Sequence, residues 1–488
     1  MSYLDLSIRE IHQALVEKKT TPSELAKEAL ERAKANNDNA FEMLLEEEAI
    51  LEASKLVEPE EDNLLWGIPY CLKDNFSTKG FETTASSNVL NGYVPLFDAT
   101  VVSKLKEKKC VLIGKTTLDE LAMGGTGTTG HKGITFNPYD PSHTHMVGGS
   151  SCGSAAVVAA GIVPFALGSD TGDSVRKPAS YAGLVGMKPT WGRISRYGLF
   201  PFAPSLDHVG FFTRDVEDSA ILLEALSGRD DMDSTSSFRP VDSYLPKEKS
   251  LKGKRIAVLS EIVDAISNKE VRASFDRAVK AMEEEGAIID YVKFGLQDLE
   301  AIYATYIVIS CAEATSNDAN LDGIKFGAYH GGKTYQEVMS NARTEGFSHL
   351  IKRRFIIGSF ALMRENVDVL FTRAQKVRAK ITARVNEILK DHDTIFLPAA
   401  PSPAPLLSAS SDALSDEYLI ADNHLALGNF AGLPSVTVPL SFVDGLPIGV
   451  NFMCRAFEEK ELYNLASAFE KISGLAGLST VSPKEARL

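Results

Sequence analysis

The sequence is poor in cysteine, in long apolar runs and in basic stretches, and each shortage argues against a class of protein. Its 488 residues include five cysteines, an odd number without any CxxC spacing, which speaks against a disulfide framework and a zinc ribbon. The longest apolar run, residues 155–168, is too short to span a membrane and contains Pro164. The first residues, MSYLDLSIREIHQ, lack the basic start and apolar centre of a secretory signal. We therefore expect a protein of the reducing cytoplasm that does not enter a membrane.

The charge balance bears on nucleic-acid binding. Asp and Glu together number 65 against 51 Lys and Arg, which gives a net charge of −14. A protein that binds nucleic acid directly usually carries a basic face or stripe, and no such run stands out here. If nucleic acid is involved, we expect a partner to hold most of it.

Short apolar runs alternate with helical patterns along most of the chain. Residues 68–72, 110–113 and 163–167 are typical of buried strands, and buried strands between helices predict a mainly parallel sheet. We predict an α/β protein with a large, mixed, mainly parallel twisted sheet flanked by helices, forming a single domain over 1–488. Its expected parts are an N-terminal helical segment at about 1–60, a core at about 61–228, a polar connector at about 228–252 and a C-terminal α/β part at about 253–475.

Two glycine–serine clusters lie between residues 148 and 178. Ser150 belongs to GGSSCGS, and Ser174 follows 24 positions later in GSDTGDS. Glycines beside serines let main-chain N–H groups converge on one point, which can build a nucleophile and a pocket for its oxyanion. Lys73 ends the apolar run GIPYCLK, and a lysine can act as a base where burial lowers its pKa. Each motif alone fits a glycine-rich turn or a surface lysine, but together they indicate a proton relay.

Two other motifs point to different chemistry. Residues 149–153 formally fit GxSxG with Ser151 as an α/β-hydrolase nucleophile, but the preceding NPYDPSHTHMV makes a poor strand. His143 and His145 form an HxH pair without an evident third ligand, so we expect no metal.

The two clusters and the lysine segment resemble the amidase signature family. They match its pattern GGSS…GS, a second serine 24 residues on, then Arg176 and Pro178, together with the upstream IPYCLKDN. Further segments resemble the branch formed by the A subunits of glutamine-dependent aspartyl/glutamyl-tRNA amidotransferases. These are spread over nearly the whole chain: GKTTLDELAMGG, LVGMKPTWGRISRYGL, PSLDHVG, SCAEATSN, KRRFIIGSFAL and NFAGLPSVTVP. The resemblance implies the amidase signature fold.

The resemblance also implies a role for each residue of the relay. Ser174 would be the acylated nucleophile, Ser150 the bridging serine held by a cis peptide, and Lys73 the terminal base and later the acid. The oxyanion hole would consist of the backbone N–H groups of Thr171, Gly172, Asp173 and Ser174.

In this branch an arginine and an aspartate hold the substrate glutamine. The KRRF segment offers Arg353 and Arg354, of which we prefer Arg354, and Asp422 falls at the aspartate position. Tyr306 falls at a tyrosine position that lines the same pocket. Opposite charges suit the α-carboxylate and α-ammonium groups of glutamine.

The implied function is a glutaminase subunit that passes ammonia to a partner. The partner would amidate misacylated Glu-tRNA(Gln), Asp-tRNA(Asn) or both, using ATP and Mg²⁺, whereas this subunit itself needs no cofactor. Subunits B and C would complete a heterotrimer, and charged tRNA would be bound mainly through them.

The chain departs from the family pattern beside the proposed nucleophile. Asp173 stands where glycine is usual, and Cys152 where glycine or serine is usual. A carboxylate about 5 Å from the oxyanion, at an effective dielectric near 20, costs about 3 kcal/mol. That cost slows acylation about a hundredfold, unless Asp173 points away or pairs with Arg176 or Lys177.

Two alternative functions follow. The first is a stand-alone amidase of the same family that acts on another small amide. The second is a catalytically weak subunit that serves mainly as a scaffold, which the carboxylate of Asp173 motivates.

Overall fold

One sheet of eleven strands organises the chain in the computed structural model, which describes residues 2–409, 420 and 422–488. The strands are β1 (Phe41–Leu44), β2 (Pro69–Lys73), β3 (Val111–Thr116), β4 (Phe165–Asp170), β5 (Val185–Lys188), β6 (His208–Thr213), β7 (Arg255–Leu259), β8 (Ile288–Val292), β9 (Thr394–Pro398), β10 (Ser435–Val443) and β11 (Leu446–Met453). Their order across the sheet is β1-β3-β2-β4-β6-β5-β10-β11-β9-β7-β8. The predicted α/β class with a large mixed sheet is confirmed.

Helices connect and cover these strands. They are α1 (Ile8–Val16), α2 (Pro22–Ala35), α3 (Glu46–Ser54), α4 (Thr100–Glu107), α5 (Cys152–Ala159), α6 (Arg176–Tyr181), α7 (Val216–Leu226), α8 (Ser260–Asp264), α9 (Lys269–Glu284), α10 (Leu296–Asn317), α11 (Tyr335–Gly346), α12 (His349–Leu362), α13 (Arg373–Asp391), α14 (Ala426–Phe430) and α15 (Glu459–Ser473). Short 3-10 turns occur at Tyr3–Asp5, Asn88–Leu90, Glu120–Ala122 and Asp318–Asn320, and a π turn at Asp368–Thr372. Within the described ranges, no helix has the length and apolar character needed to cross a membrane.

The sheet differs from the expectation in the proportion of parallel strands. Six of the ten neighbouring pairs are antiparallel. The four parallel pairs lie towards the two ends, where β2 joins β3 and β4, and where β7 joins β8 and β9. The prediction of a mainly parallel sheet is therefore wrong in this detail. The apolar pattern could not reveal the strand directions, because β6 and β10 are buried along nearly their whole length. A strand buried on both faces has the same apolar composition in either orientation.

The parallel pair β2–β4 positions the two sequence clusters. Tyr70 of β2 pairs with Phe165 of β4, and Leu72 pairs with Leu167, so both strands end at the same edge of the sheet. Lys73 closes β2, and the second glycine–serine cluster begins at the end of β4. Since loops at the carboxyl ends of such strands form the usual ligand site, this edge is where the chemistry is expected.

Helix α5 begins within the first cluster and is buried over its whole length. Its residues, CGSAAVVA, are small, which lets the backbone approach its neighbours closely. At Gly153 an added Cβ would lie 2.4 Å from the carbonyl oxygen of Ala40, so only glycine fits there. The close approach fixes the start of α5 and with it the serines that precede the helix.

Local sequence accounts for the start of one N-terminal helix. Thr21 caps α2 by accepting a hydrogen bond from the backbone of Glu24, with Pro22 at the first helical position. The predicted connector, residues 228–252, contains neither helix nor strand. Residues 400–416 are rich in Pro, Ser and Ala, which predicts an irregular loop, and they lie partly outside the described residues. The division of the chain into domain parts stays a prediction.

Candidate active site

Lys73 is completely buried at the end of β2, surrounded by serine hydroxyls. Its Nζ lies 2.8 Å from Oγ of Ser150 and 2.9 Å from Oγ of both Ser151 and Ser169. Burial disfavours the charged ammonium and lowers the pKa of Lys73 to about 7. A substantial fraction of the lysine is therefore a neutral amine near neutral pH, which can accept a proton.

The three serines around Lys73 differ in their other hydrogen bonds. Ser151 Oγ donates to the carbonyl oxygen of Ser169 at 3.1 Å, so its proton is already used. Ser169 Oγ accepts a hydrogen bond from Asn75 Nδ2 at 3.0 Å as well as from Lys73. Within the described part of the chain, the hydroxyl of Ser150 has Lys73 as its hydrogen-bond partner and no other. A neutral Lys73 can thus take the proton of Ser150.

The backbone around Ser150 is held by the preceding loop. The Gly149–Ser150 peptide is cis, as the resemblance implied, and the carbonyl oxygen of Ser150 accepts a hydrogen bond from the Asp119 N–H at 3.1 Å. An added Cβ at Gly149 would lie 2.0 Å from Oδ2 of Asp119, so this position has no room for a side chain. The buried carboxylate of Asp119 accepts backbone N–H groups from four successive residues, Thr126, Gly127, Thr128 and Thr129.

Ser174 lies next to the first cluster. Its carbonyl oxygen accepts a hydrogen bond from the Ser151 N–H at 3.2 Å, which joins the two glycine–serine clusters. Within the described residues, no backbone hydrogen bond uses the N–H groups of residues 171–174. Those groups are therefore available to an anionic oxygen that develops beside Ser174.

Arg176 fixes the shape of this loop. It is completely buried, and its Nη2 donates to Asp170 Oδ1 at 2.9 Å and to the carbonyl oxygen of Gly172 at 2.8 Å. The same nitrogen donates to Asn429 Oδ1 at 2.7 Å. Arg176 outweighs the cost of burial and holds the pKa of the Asp170 carboxyl well below its usual range. The loop is thus fastened at its start and at its middle by one guanidinium.

Asp207, the residue immediately before β6, also supports the loop. Its Oδ1 accepts the hydroxyl of Thr171 at 2.7 Å, while Oδ2 accepts the N–H groups of Phe202 and Ala203, each at 3.0 Å. The sequence alone did not reveal the supporting roles of Asp207, Asp170, Ser169 and Asn75. The signal available for them was their position inside the quoted motifs, IPYCLKDN, GSDTGDS and PSLDHVG.

The carboxylate of Asp173 is paired with a cation. Its Oδ2 lies 2.6 Å from Nζ of Lys177, one helical turn further along the chain. Nζ of Lys177 also lies 3.0 Å from Oδ1 of Asp422 and donates to the carbonyl oxygen of Asp422 at 2.8 Å. Burial alone would lower the pKa of Lys177, but the two carboxylates outweigh it and raise that pKa well above its usual value. The pairing that would reduce the cost of Asp173 is present.

Tyr306 of α10 comes to the same loop, and Arg354 of α12 lies beside an aromatic ring that Tyr306 meets. An added Cβ at Gly172 would lie 3.0 Å from Cε2 of Tyr306, so the tyrosine ring packs directly on the loop. The Arg354 guanidinium lies 5.8 Å from the centre of the Phe202 ring, and Phe202 meets Tyr306 edge to face at 6.5 Å. Nε and Nη1 of Arg354 are buried without a hydrogen-bond partner among the described residues. Arg353, by contrast, is exposed.

The HxH pair belongs to a structural loop. His145 Nδ1 lies 2.8 Å from Oδ2 of Asp140, and His143 stacks on Phe136 with ring centres 4.4 Å apart. Over the described ranges, no three histidine, cysteine, aspartate or glutamate side chains are arranged to hold a metal ion.

The family model and the similar proteins indicate the same family for this chain. The family model described as Amidase matches residues 24–463. The chain is 39% identical to the A subunit of the glutamyl-tRNA(Gln) amidotransferase of Pediococcus pentosaceus over 482 residues, which is 96% of this chain and 97% of that protein. The corresponding protein of Macrococcus caseolyticus is 41% identical over 475 residues, covering 96% and 97% of the two chains.

Solved structures agree in fold. The crystal structure of the glutamyl-tRNA(Gln) amidotransferase A subunit from Thermotoga maritima superposes with a TM-score of 0.81 at 37% identity, covering 100% of this chain and 99% of that one. The native peptide amidase from Stenotrophomonas maltophilia superposes with a TM-score of 0.79 at 25% identity, covering 96% and 97%.

Proposed function

Because this chain belongs to the amidase family, we propose that it is the glutaminase subunit of a tRNA-dependent amidotransferase. It hydrolyses the side-chain amide of glutamine and supplies the ammonia to a partner subunit. The observation that carries the proposal is the 2.8 Å contact between the buried amine of Lys73 and Ser150, beside the loop that bears Ser174. The full-length similarity to A subunits supports the choice of glutamine over other amides.

Acylation begins with proton transfer along the relay. Ser174 Oγ attacks the amide carbon, its proton passes to Ser150, and the proton of Ser150 passes to neutral Lys73. Negative charge develops on the former amide oxygen, where the N–H groups of residues 171–174 can donate to it. Losing one such donor typically slows acyl transfer by about a hundredfold to a thousandfold.

Ammonia then leaves and water completes the cycle. Lys73, now protonated, returns its proton through Ser150 to the departing nitrogen, and the ester of Ser174 remains. Water attacks this ester with the neutral lysine again as the terminal base, which releases glutamate.

The charges around the loop suit an amino-acid substrate. Arg354 offers buried, unpartnered N–H groups to the α-carboxylate, and Asp422 offers its carboxylate to the α-ammonium group. Tyr306 packs on Gly172, next to Asp173, and would line the same pocket. A simple neutral amide has no use for such a charged pair.

The ammonia is consumed in a complex. Subunits B and C form a heterotrimer with this chain in the cytoplasm, and the partner that binds charged tRNA, ATP and Mg²⁺ amidates Glu-tRNA(Gln), Asp-tRNA(Asn) or both. The names of the relatives favour Glu-tRNA(Gln). The net charge of −14 fits a subunit that leaves tRNA binding to its partners.

Substrate preference tests the proposal. The full chain, alone and with its partner subunits, is assayed for ammonia release from glutamine and from a panel of neutral alkyl and aryl amides. We expect glutamine to be preferred, and Glu-tRNA(Gln) with ATP to be converted to Gln-tRNA(Gln) by the complete complex. Preference for a neutral amide would show a stand-alone amidase, the function that the structural likeness to a peptide amidase favours.

The scaffold alternative has its own test. The scaffold alternative was suggested by the negative charge of Asp173, which the 2.6 Å ion pair with Lys177 offsets. Glutamate release is measured with partners and charged tRNA present, for the wild type and for Ser174→Ala. Equal rates for the two proteins would establish the scaffold role.

A further inference from the structure

Lys177 bridges the oxyanion loop and the substrate pocket. Its Nζ lies 2.6 Å from Asp173 Oδ2 and 3.0 Å from Asp422 Oδ1, and it also donates to the carbonyl oxygen of Asp422. The side chain is almost completely buried, so water does not screen these charges well. The proton relay described above does not use this lysine.

The ion pair with Lys177 neutralises the carboxylate of Asp173 beside the proposed oxyanion hole. The backbone N–H of Asp173 belongs to the group that faces the oxyanion, whereas its carboxylate is bound to the ammonium on α6. The Lys177 N–H donates to the carbonyl oxygen of Asp173 at 2.9 Å, which fixes the same turn of backbone. Without the ammonium, an uncompensated carboxylate about 5 Å from a developing oxyanion slows its formation about a hundredfold.

The charge balance of the pocket depends on the same residue. Asp173 and Asp422 carry two negative charges, and the shared ammonium leaves one. A single negative charge matches the single α-ammonium group of an amino acid. Loss of Lys177 leaves two carboxylates without a counter-ion and frees Asp422 from its anchor.

We propose that Lys177 is a positioning residue with two effects: it neutralises Asp173 beside the oxyanion hole, and it holds Asp422 in place for the α-ammonium group of the substrate. The first effect concerns any acyl substrate of Ser174. The second rests on the proposed function, since it requires an amino-acid substrate.

A double-mutant comparison separates the two effects. Full-length wild type, Lys177→Met, Asp173→Asn and the double variant Lys177→Met/Asp173→Asn are compared in two assays. The first measures the rate at which a neutral alkyl fluorophosphonate labels Ser174. In that reaction the bond between Ser174 Oγ and phosphorus forms, the phosphorus–fluorine bond breaks, fluoride leaves, and the proton passes through Ser150 to Lys73. The second assay measures kcat and KM for glutamine, with partner subunits present.

The expected results differ between the assays. Lys177→Met lowers the labelling rate and kcat by about thirtyfold to a hundredfold, and removal of the Asp173 charge in the double variant restores both to within about threefold of the wild type. KM for glutamine rises about tenfold in Lys177→Met and stays raised in the double variant, because Asp173→Asn does not restore the anchor of Asp422. A lysine that merely stabilised the fold would show no rescue.

Contrary results have definite meanings. A double variant labelled as slowly as Lys177→Met overturns the first effect, and a KM that returns to the wild-type value overturns the second. A wild type that is labelled but does not hydrolyse glutamine overturns the proposed function, while rescue of labelling still establishes the coupling of Lys177 to Asp173.

Two further substitutions serve as a control and as a substitute for a variant that does not fold. Lys104, a half-buried lysine on α4 that donates to the carbonyl oxygens of Leu226 and Ser227, gives the matched control Lys104→Met, which should change neither assay. If Lys177→Met does not fold by thermal melting, Lys177→Gln with and without Asp173→Asn gives the same test.

Discussion

Replacing Lys73 with methionine should abolish activity and, at the same time, change how stability depends on pH. The side chain keeps its apolar length but loses the amine that contacts Ser150. Without a terminal base, we expect glutamine hydrolysis to fall at least about a thousandfold. The effect on stability follows from the lowered pKa and can be worked out separately.

The direction of the stability effect comes from proton binding. Burial lowers the pKa of Lys73 from 10.5 to about 7, so between these pH values the unfolded chain binds a proton that the folded chain does not. The folded state therefore loses stability as the pH falls from 10.5 towards 7. The cost is complete below pH 7, where it amounts to about 4 to 5 kcal/mol at about 1.4 kcal/mol per pKa unit.

The measurable quantity is a difference between two proteins. From pH 7 to pH 9 the cost of Lys73 shrinks by about 2 kcal/mol, and the methionine variant has no such term. Measured by urea denaturation, the free energy of unfolding of the wild type should therefore rise by about 2 kcal/mol relative to that of Lys73→Met over this range. Loss of the hydrogen bonds to the three serines adds an offset that does not depend on the Lys73 proton, and all other titrating groups cancel.

Two observations complete this test. In the wild type, kcat/KM for glutamine should rise about tenfold per pH unit below pH 7 and level off above it, because only neutral Lys73 is a base. The exposed lysine at position 280 gives a control, since Lys280→Met should show a constant difference from the wild type. A constant difference for Lys73→Met from pH 7 to 9 would refute the reasoning, because it would mean that the buried amine stays charged.

Three further substitutions test other parts of the site. Arg354→Met should raise KM for glutamine by about a factor of ten to a hundred through loss of a charge-assisted contact, with fluorophosphonate labelling unchanged, and the exposed Arg353→Met should change KM less than twofold. Gly149→Ala should lower the free energy of unfolding by about 3 kcal/mol in urea titration, since its Cβ would lie 2.0 Å from Asp119; unchanged stability would contradict the packing. Ser174→Ala should lose glutamate release while its Tm stays within a few degrees, and residual activity above background would exclude the relay as described.

The strands could be predicted well from the sequence, but their directions could not. The apolar runs at 68–72, 110–113 and 163–167 each overlap a strand, namely β2, β3 and β4. The antiparallel centre was missed, because burial on both faces removes the alternation that usually marks antiparallel strands. One signal was available: Asp444 and Gly445 both have positive φ in the turn between β10 and β11, and Asp-Gly between apolar runs is typical of a tight hairpin.

The site was predictable where motifs carry it and not where the fold assembles it. Lys73 and the two glycine–serine clusters follow from local sequence. Ser169 reaches Lys73 and Asn75 only because β2 and β4 are neighbours in the sheet, which no local pattern reveals. The ion pair of Asp173 with Lys177 lies between the two cases. Its spacing of four residues was visible, but the third partner, Asp422, is distant in sequence and comes from the fold alone.

Two buried lysines of the same site thus differ in charge state, because their neighbours differ. Lys73 is surrounded by neutral hydroxyls, so desolvation dominates and the amine can be neutral. Lys177 is equally hidden from water but contacts two carboxylates, so attraction dominates and the ammonium is held charged. Lysine can therefore serve either as a base beside the nucleophile or as a fixed cation beside the pocket, depending on its neighbours. It follows that exchanging the neighbours should exchange the behaviour: a carboxylate introduced by Ser169→Asp should keep Lys73 charged and move the rise of kcat/KM to higher pH, whereas an unchanged pH profile would show that the hydroxyl surroundings do not set the pKa of Lys73.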